Sequence, residues 1–309
     1  LPMAAPPAPH SIARAALWMS GWLALMLLIA VAGRAAMHEL DLFQIMFLRS
    51  LIGLALIAPW VWARGVQATW RTARPWAHGL RNAVHYAAQY GWFAALALIP
   101  LAQVVAIEFT MPLWSALLAA LWLGESLGRR KIAAVALGLA GVLVIVRPAA
   151  QGLNPGQLIA LAAAAGFAAS VITVKSLTRT DSALTILLWM LLVQAALGAL
   201  PALAVWRWPS GAAVWGWVAV VAFCGTFSHY CFARALQHAE ATVVVPMDFL
   251  RVPASAALGA WLYHERVDGW TLVGVALILA GNLVNLRAAP AQPVPRGTTM
   301  AARSPENTP

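Results

Sequence analysis

Apolar residues run along this chain in long stretches, broken by short clusters of polar and charged residues. A helix that crosses a bilayer needs about 20 mostly apolar residues. Ten stretches come close to that length: Ala15–Gly33, Leu42–Trp62, Gly79–Leu98, Leu101–Leu123, Lys131–Val146, Gly156–Leu177, Ser182–Val205, Ala212–Leu236, Ala241–Tyr263 and Gly269–Leu286. Most connections are short enough to hold neighbouring helices antiparallel. The pattern predicts an all-α, polytopic membrane protein with ten transmembrane helices and no inserted soluble domain. Residues 1–14 and 288–309 are rich in Pro, Ala, Ser and Thr and have no apolar face to bury. They are expected to be disordered tails.

The same apolar pattern occurs twice. Val135–Arg147 reads VALGLAGVLVIVR and Val275–Arg287 reads VALILAGNLVNLR, identical at nine of thirteen positions and 140 residues apart. At the same offset Glu125 meets Glu265, Glu108-Phe109 meets Asp248-Phe249, Val104-Val105 meets Val244-Val245, and Tyr90 meets Tyr230. The match covers three spans and fades over the first two. It divides the chain into repeats at 15–147 and 148–287, each with five spans. Five is odd, so the second repeat is expected to enter the membrane inverted relative to the first. Inverted repeats recur in secondary transporters, where the substrate site lies near the midplane between the halves.

Composition agrees with a membrane protein. The chain is 62% hydrophobic and only 10% charged, where soluble domains carry about 25% charged residues. The net charge of +10 does not point to nucleic acid, because the basic residues sit in short loops and form no single patch. Counted by side, fourteen Lys and Arg fall with the N-terminus and four on the opposite side. That bias places both termini in the cytoplasm, in a bacterial-type inner membrane. Cys224 and Cys231 lie seven apart in one apolar run. In a straight helix they would be about 10 Å apart, too far for a disulfide.

Ionisable groups inside a bilayer cost about 2.5–3.5 kcal/mol each on insertion scales, so they are the first candidates for function. Glu108 and Asp248 hold the same repeat position, and Arg251 follows Asp248 by one turn. Arg49 sits mid-span and needs a partner, for which Glu108 is the candidate. These groups either take up protons and bind an anionic group, or form ion pairs that fix helix register. Span three carries Arg81, Asn82, His85, Tyr86, Gln89 and Tyr90, and span eight carries Ser228, His229 and Tyr230. A stripe this polar should not face lipid. His85, Tyr86, Gln89, His229 and Tyr230 are expected to line a cavity or to bond between helices.

Four further features have a structural reading. Pro112, Pro246 and Pro253 interrupt spans four and nine and free backbone carbonyls. Ala134, Gly138, Gly141, Gly274 and Gly281 form small faces that allow close helix packing, within the chain or in a homodimer. Glu125 and Glu265 are expected to cap helices or pair with loops. The sixteen tryptophans, many near span ends, suit interfacial anchors. Nucleotide-binding, metal-ligating and nucleophile motifs are missing, so no enzyme activity, cofactor or metal is expected.

The segments IEFTMPLWSALLAALWLGE and GLAGVLVIVRP, and their counterparts VVVPMDFLRVPASAALGAWLYHE and ILAGNLVNLR, resemble the EamA family of the drug/metabolite transporter superfamily. The resemblance implies ten helices, cytoplasmic termini and a central cavity shared by both halves. It also implies transport of a small organic solute, often export, without ATP hydrolysis. The expected function is therefore secondary-active movement of a small metabolite by alternating access, as proton- or solute-gradient-driven export. An uptake permease for a nucleoside-like metabolite or vitamin is the second expectation. A membrane enzyme or assembly factor for a lipid-linked substrate is the third.

Overall fold

The computed structural model describes residues 11–123, 128–147, 154–177, 179–239, 244 and 247–288. Residues 1–10 and 289–309 of the expected tails, Glu125 and Pro246 lie outside them, whereas residues 11–14 and 288, also expected in the tails, cap or belong to the first and last helices. The first repeat holds α1 (Ile12–Ala36), α2 (Leu42–Arg64), a short α3 (Val66–Trp70), α4 (Pro75–Leu98), α5 (Leu101–Glu108), α6 (Met111–Leu123) and α7 (Arg129–Val146). The second holds α8 (Pro155–Leu177), α9 (Ala183–Ala204), α10 (Ala212–His238), α11 (Arg251–Tyr263) and α12 (Gly269–Ala288). No strand occurs among the described residues. Helices suit this sequence because lipid offers nothing to satisfy a free backbone group. Where helices begin at the interface, side chains cap them: Asp41 accepts from the Phe43 N–H at 2.8 Å and Ser182 from that of Thr185 at 3.1 Å.

Among the described residues, six segments are long and apolar enough to cross a membrane: α1, α2, Leu101–Leu118, Pro155–Val174, α9 and Ala212–Phe232. The sequence pattern gave ten. The polar stripe of α4 lowers its hydropathy, and α7 opens on Arg129, Arg130 and Lys131. Gly269–Asn285 in α12 is apolar but shorter over the described residues, and the ninth stretch, Ala241–Tyr263, is described only in part.

Span four is not one helix. It breaks at Phe109-Thr110, between α5 and α6, and Pro112 stands in the first turn after the break. A second break lies 140 residues on, at Phe249-Leu250, with Pro253 in the first turn of α11. A proline is tolerated there because the first N–H groups of a helix have no intrahelical partner anyway.

Packing keeps one pattern when the repeats are exchanged. The first helix of each repeat lies along the third of the other, α1 on α10 and α8 on α4. Second packs on second, α2 on α9, and fifth on fifth, α7 on α12. The duplicated helices α7 and α12 run antiparallel, with Ile145 near Gly274 and Ala134 near Gly281. A Cβ on Gly141 would lie 2.6 Å from the Gly274 oxygen, and one on Gly274 would lie 2.6 Å from the Gly141 oxygen. The small face is thus filled within the chain. Gly138 is the exception on that face, because a Cβ there would strike Leu113 of α6. Cys224 and Cys231 are free and buried.

Candidate functional site

The two helix breaks meet at the centre of the molecule. Phe109 and Phe249, repeat partners, touch edge to face with ring centroids 5.6 Å apart. Glu108 ends the helix before the first break, Asp248 precedes the second, and Arg251 opens the helix after it. Arg251 bridges both acids. It donates from Nη1 to Glu108 Oε1 at 2.9 Å and from Nη2 to Asp248 Oδ2 at 3.3 Å. Its guanidinium also lies 4.8 Å from the Phe109 ring centroid, a cation–π contact. The Arg251 side chain is only 4% exposed.

Indoles occupy the remaining carboxylate oxygens. Trp22 Nε1 donates to Asp248 Oδ1 at 2.7 Å, and Trp92 Nε1 to Glu108 Oε2 at 2.8 Å. Each of the four carboxylate oxygens therefore accepts a bond, and two acids share one arginine. The Phe109 carbonyl, freed by the first break, accepts from Asn282 Nδ2 at 2.7 Å. Trp22 and Trp92 suit interfacial anchors by sequence, but both are buried and serve as donors. A tryptophan one or two helices away from a buried acid carries no mark of this in sequence.

Arg49 does not meet Glu108. Arg251 holds that acid, and Arg49, 3% exposed, donates from Nη2 to Gln194 Oε1 at 3.3 Å. Tyr86 is buried close by, with its hydroxyl 3.0 Å from the place a Cβ on Gly198 would take. The rest of the polar set scatters. His85 approaches Ser170 through Nδ1 at 3.1 Å and stacks edge-on with Phe167, so it bonds between α4 and α8. Gln89 keeps a buried oxygen without a hydrogen bond. Tyr230 is 49% exposed and packs on Trp18 and Phe227 at the outer surface, away from the central cluster. The side chain of His229 lies outside the described residues. No group of His, Cys, Asp and Glu among the described residues could hold a metal ion.

The repeats are also tied at both ends of the bundle. Where α1 finishes, Arg34 pairs with Glu265 at 2.5 Å and donates to the Leu96 and Ile99 carbonyls, and Glu265 accepts from the Leu101 N–H at 2.9 Å. Glu265 therefore caps a helix, as expected, but one in the other repeat, α5, and ties to Arg34 as well. A cavity of about 460 Å³ opens beside this pair, lined by Arg34, Met37, His38, Pro100 and Glu265 among others. Arg147 pairs with Asp268 next to it. At the opposite end Ser11 N–H donates to the His238 carbonyl at 2.9 Å and Arg74 Nη1 to Ser176 Oγ at 3.0 Å.

A hydrogen bond from Thr271, with the Arg147 guanidinium nearby, holds the Asp268 carboxyl below the usual carboxylate range. A lowered folded-state value stabilises above the unfolded value, about 3.9, and is lost as pH falls through the lowered one. The stability difference between wild type and Asp268→Asn is thus expected to stay constant from pH 8 to 5. It should shrink only below about pH 4. Thermal unfolding in detergent across that range measures it, and a difference already fading at pH 6 would contradict the assignment.

The all-helical, two-repeat fold agrees with what similarity to known proteins shows. The EamA-like transporter family matches the chain twice, over residues 14–147 and 154–287. The chain belongs to that family: it is a multi-pass membrane transporter of small metabolites and not an enzyme. It is 29% identical to a riboflavin transporter of Vibrio cholerae, over 87% of this chain and 92% of that one. It is 25% identical to an S-adenosylmethionine uptake transporter of Rickettsia felis, over 79% and 83%. A pseudopaline exporter of Pseudomonas aeruginosa is 27% identical, over 80% and 86%.

Proposed function

We propose that the protein is a secondary-active carrier of the bacterial inner membrane. It has ten crossings, both chain ends in the cytoplasm, and repeats inserted in opposite senses. It takes up a vitamin-like or nucleoside-like heterocyclic metabolite by alternating access, driven by protons or by the solute gradient. The two relatives that handle riboflavin and S-adenosylmethionine support this substrate class. Export, the direction first expected from the sequence, is the second reading, and the exporter relative favours it.

The observation that carries the mechanism is the Arg251–Glu108 bond, because it joins the two repeats at both helix breaks. Two carboxylates against one guanidinium leave a surplus negative charge in the membrane. A proton arriving at Glu108 removes that surplus. The protonated oxygen then carries its own hydrogen, so one donor that faced it must withdraw. When the donor is Arg251, the bond that joins the two helix breaks is lost, and the halves can rearrange there. Proton binding and rearrangement are thereby one event.

Proteoliposomes containing only this protein test the reading. Labelled riboflavin and S-adenosylmethionine are offered with and without an inward proton gradient. At least one is expected to enter saturably and faster with the gradient, and Glu108→Gln is expected to remove the acceleration while leaving exchange at equal concentrations. Uptake indifferent to both the gradient and Glu108→Gln would discard the coupling proposal.

A further inference from the structure

Arg49 is the unusual charge of this molecule. It lies in the middle of α2, nearly fully buried, and no carboxylate comes within ion-pair distance among the described residues. Arg34, Arg147 and Arg251 each have one. Arg81, buried near the start of α4 and also without a carboxylate, donates to Asn82 at 2.6 Å. The one bond of Arg49, 3.3 Å to a neutral amide, is long for a charged donor, which typically approaches to about 2.7–2.9 Å. A buried charge left this poorly matched is strongly unfavourable unless a partner arrives.

The groups around it have spare capacity of the same kind. The Tyr86 hydroxyl is buried without a hydrogen bond, and so is the Gln194 amide nitrogen. Both are donors. Gly198, one helical turn after Gln194, leaves the room into which the Tyr86 hydroxyl points. Gly225 of α10 does the same for Arg49, whose Nε lies 3.6 Å from where a Cβ would be. Three donors with no acid between them describe a receptor for an oxyanion. Arg49 and Tyr86 belong to the first repeat, and Gln194, Gly198 and Gly225 to the second. An anion held here would touch both halves of the carrier.

We propose that Arg49, with Tyr86 and Gln194, binds an anionic oxygen group of the transported solute, a carboxylate or a phosphate. The inference rests on the transport reading above and narrows it to metabolites that carry such a group. The planar guanidinium presents two parallel N–H groups to such an anion, so one fork takes both oxygens once the Gln194 side-chain oxygen turns away and its amide nitrogen donates to the anion in its place. Replacing a 3.3 Å bond to an amide by charge-assisted bonds favours the loaded state. The loaded state also ties both repeats to the solute and not to each other.

The test uses matched probes that differ by one phosphate or one carboxylate group. Riboflavin 5′-phosphate is set against riboflavin, and S-adenosylmethionine against its decarboxylated analogue, by calorimetry on the purified full chain. At least one of the two members that carry the phosphate or carboxylate is expected to bind about tenfold or more tightly than its partner, and which pair responds tells phosphate from carboxylate. Arg49→Gln is expected to abolish the preference while leaving the weaker binding of the member without the acidic group. Arg49→Lys should keep only part of it, because an ammonium lacks the fork. If Arg49→Gln fails to fold, Tyr86→Phe carries the test and should lower the preference about threefold or more. Equal affinity within both pairs, or a preference that survives Arg49→Gln and Tyr86→Phe, overturns the proposal. Uptake of a probe without any charge preference would leave the transport reading standing and remove this one. Failure of all four probes to bind or enter would remove both.

Discussion

Arg251→Met is expected to leave little folded protein, with a loss of about 3–5 kcal/mol in stability. The side chain bridges Glu108 and Asp248 and is almost fully buried. Without it two carboxylates face each other in the membrane with only the Trp22 and Trp92 indoles for company. Indoles are neutral donors and do not cancel charge. The comparison variant is Glu108→Gln, in which Arg251 keeps Asp248 and the amide oxygen still accepts from a neighbour. Its expected loss is smaller, about 1.5–3 kcal/mol for a hydrogen bond to a charged group. Melting temperatures in detergent rank the variants. If Arg251→Met melts at the wild-type temperature, the cluster does not hold the two breaks together. A merely structural cluster would leave the proton dependence of transport intact in Glu108→Gln, so the uptake assay and the melting curve separate the two roles.

Gly141→Val is expected to be comparably disruptive for a different reason. The added Cβ alone would fall 2.6 Å from the Gly274 carbonyl oxygen and 2.7 Å from Ile278 Cγ1. A backbone oxygen cannot step aside as a side-chain tip can, so α7 and α12 must separate. Overpacking typically costs about 1–3 kcal/mol, and here it strikes a crossing where close packing is the main attraction between membrane helices. Gly216→Ala, where a Cβ would meet nothing within 4 Å, is the control and should be neutral. Expression and monodispersity on size exclusion measure both. Gly141→Val folding like wild type would mean that the α7–α12 crossing is not as close as described.

Much of the fold was legible because lipid removes most alternatives. Long apolar runs can only be helices, and a 140-residue repeat carries the same packing into both halves. The doubled break was half legible: the prolines were visible, but that both breaks end on an acid and meet through Phe109 and Phe249 was not. The Asp248–Arg251 pair could be read because its members lie one turn apart. The wrong partner for Arg49 came from ranking neighbours by charge. Gln194 is uncharged and 145 residues away, and no local signal links it to Arg49. His85 and Tyr86 lie on adjoining stripes of α4, and Tyr230 of α10 is the repeat partner of Tyr90, yet neighbouring faces of α4 and α10 meet different surroundings.

The sequence by itself determined what the chain is: an all-helical membrane protein of two like halves, with costly charges at matching positions. Those properties follow from local composition and from transfer free energy, which each segment carries alone. Only the tertiary structure decided who partners whom. It gave Glu108 to Arg251, put tryptophans on both acids, sent Glu265 across to Arg34, and left Arg49 facing donors in place of an acid. Such choices depend on how helices rotate and cross, and that is settled by packing between segments far apart in the chain.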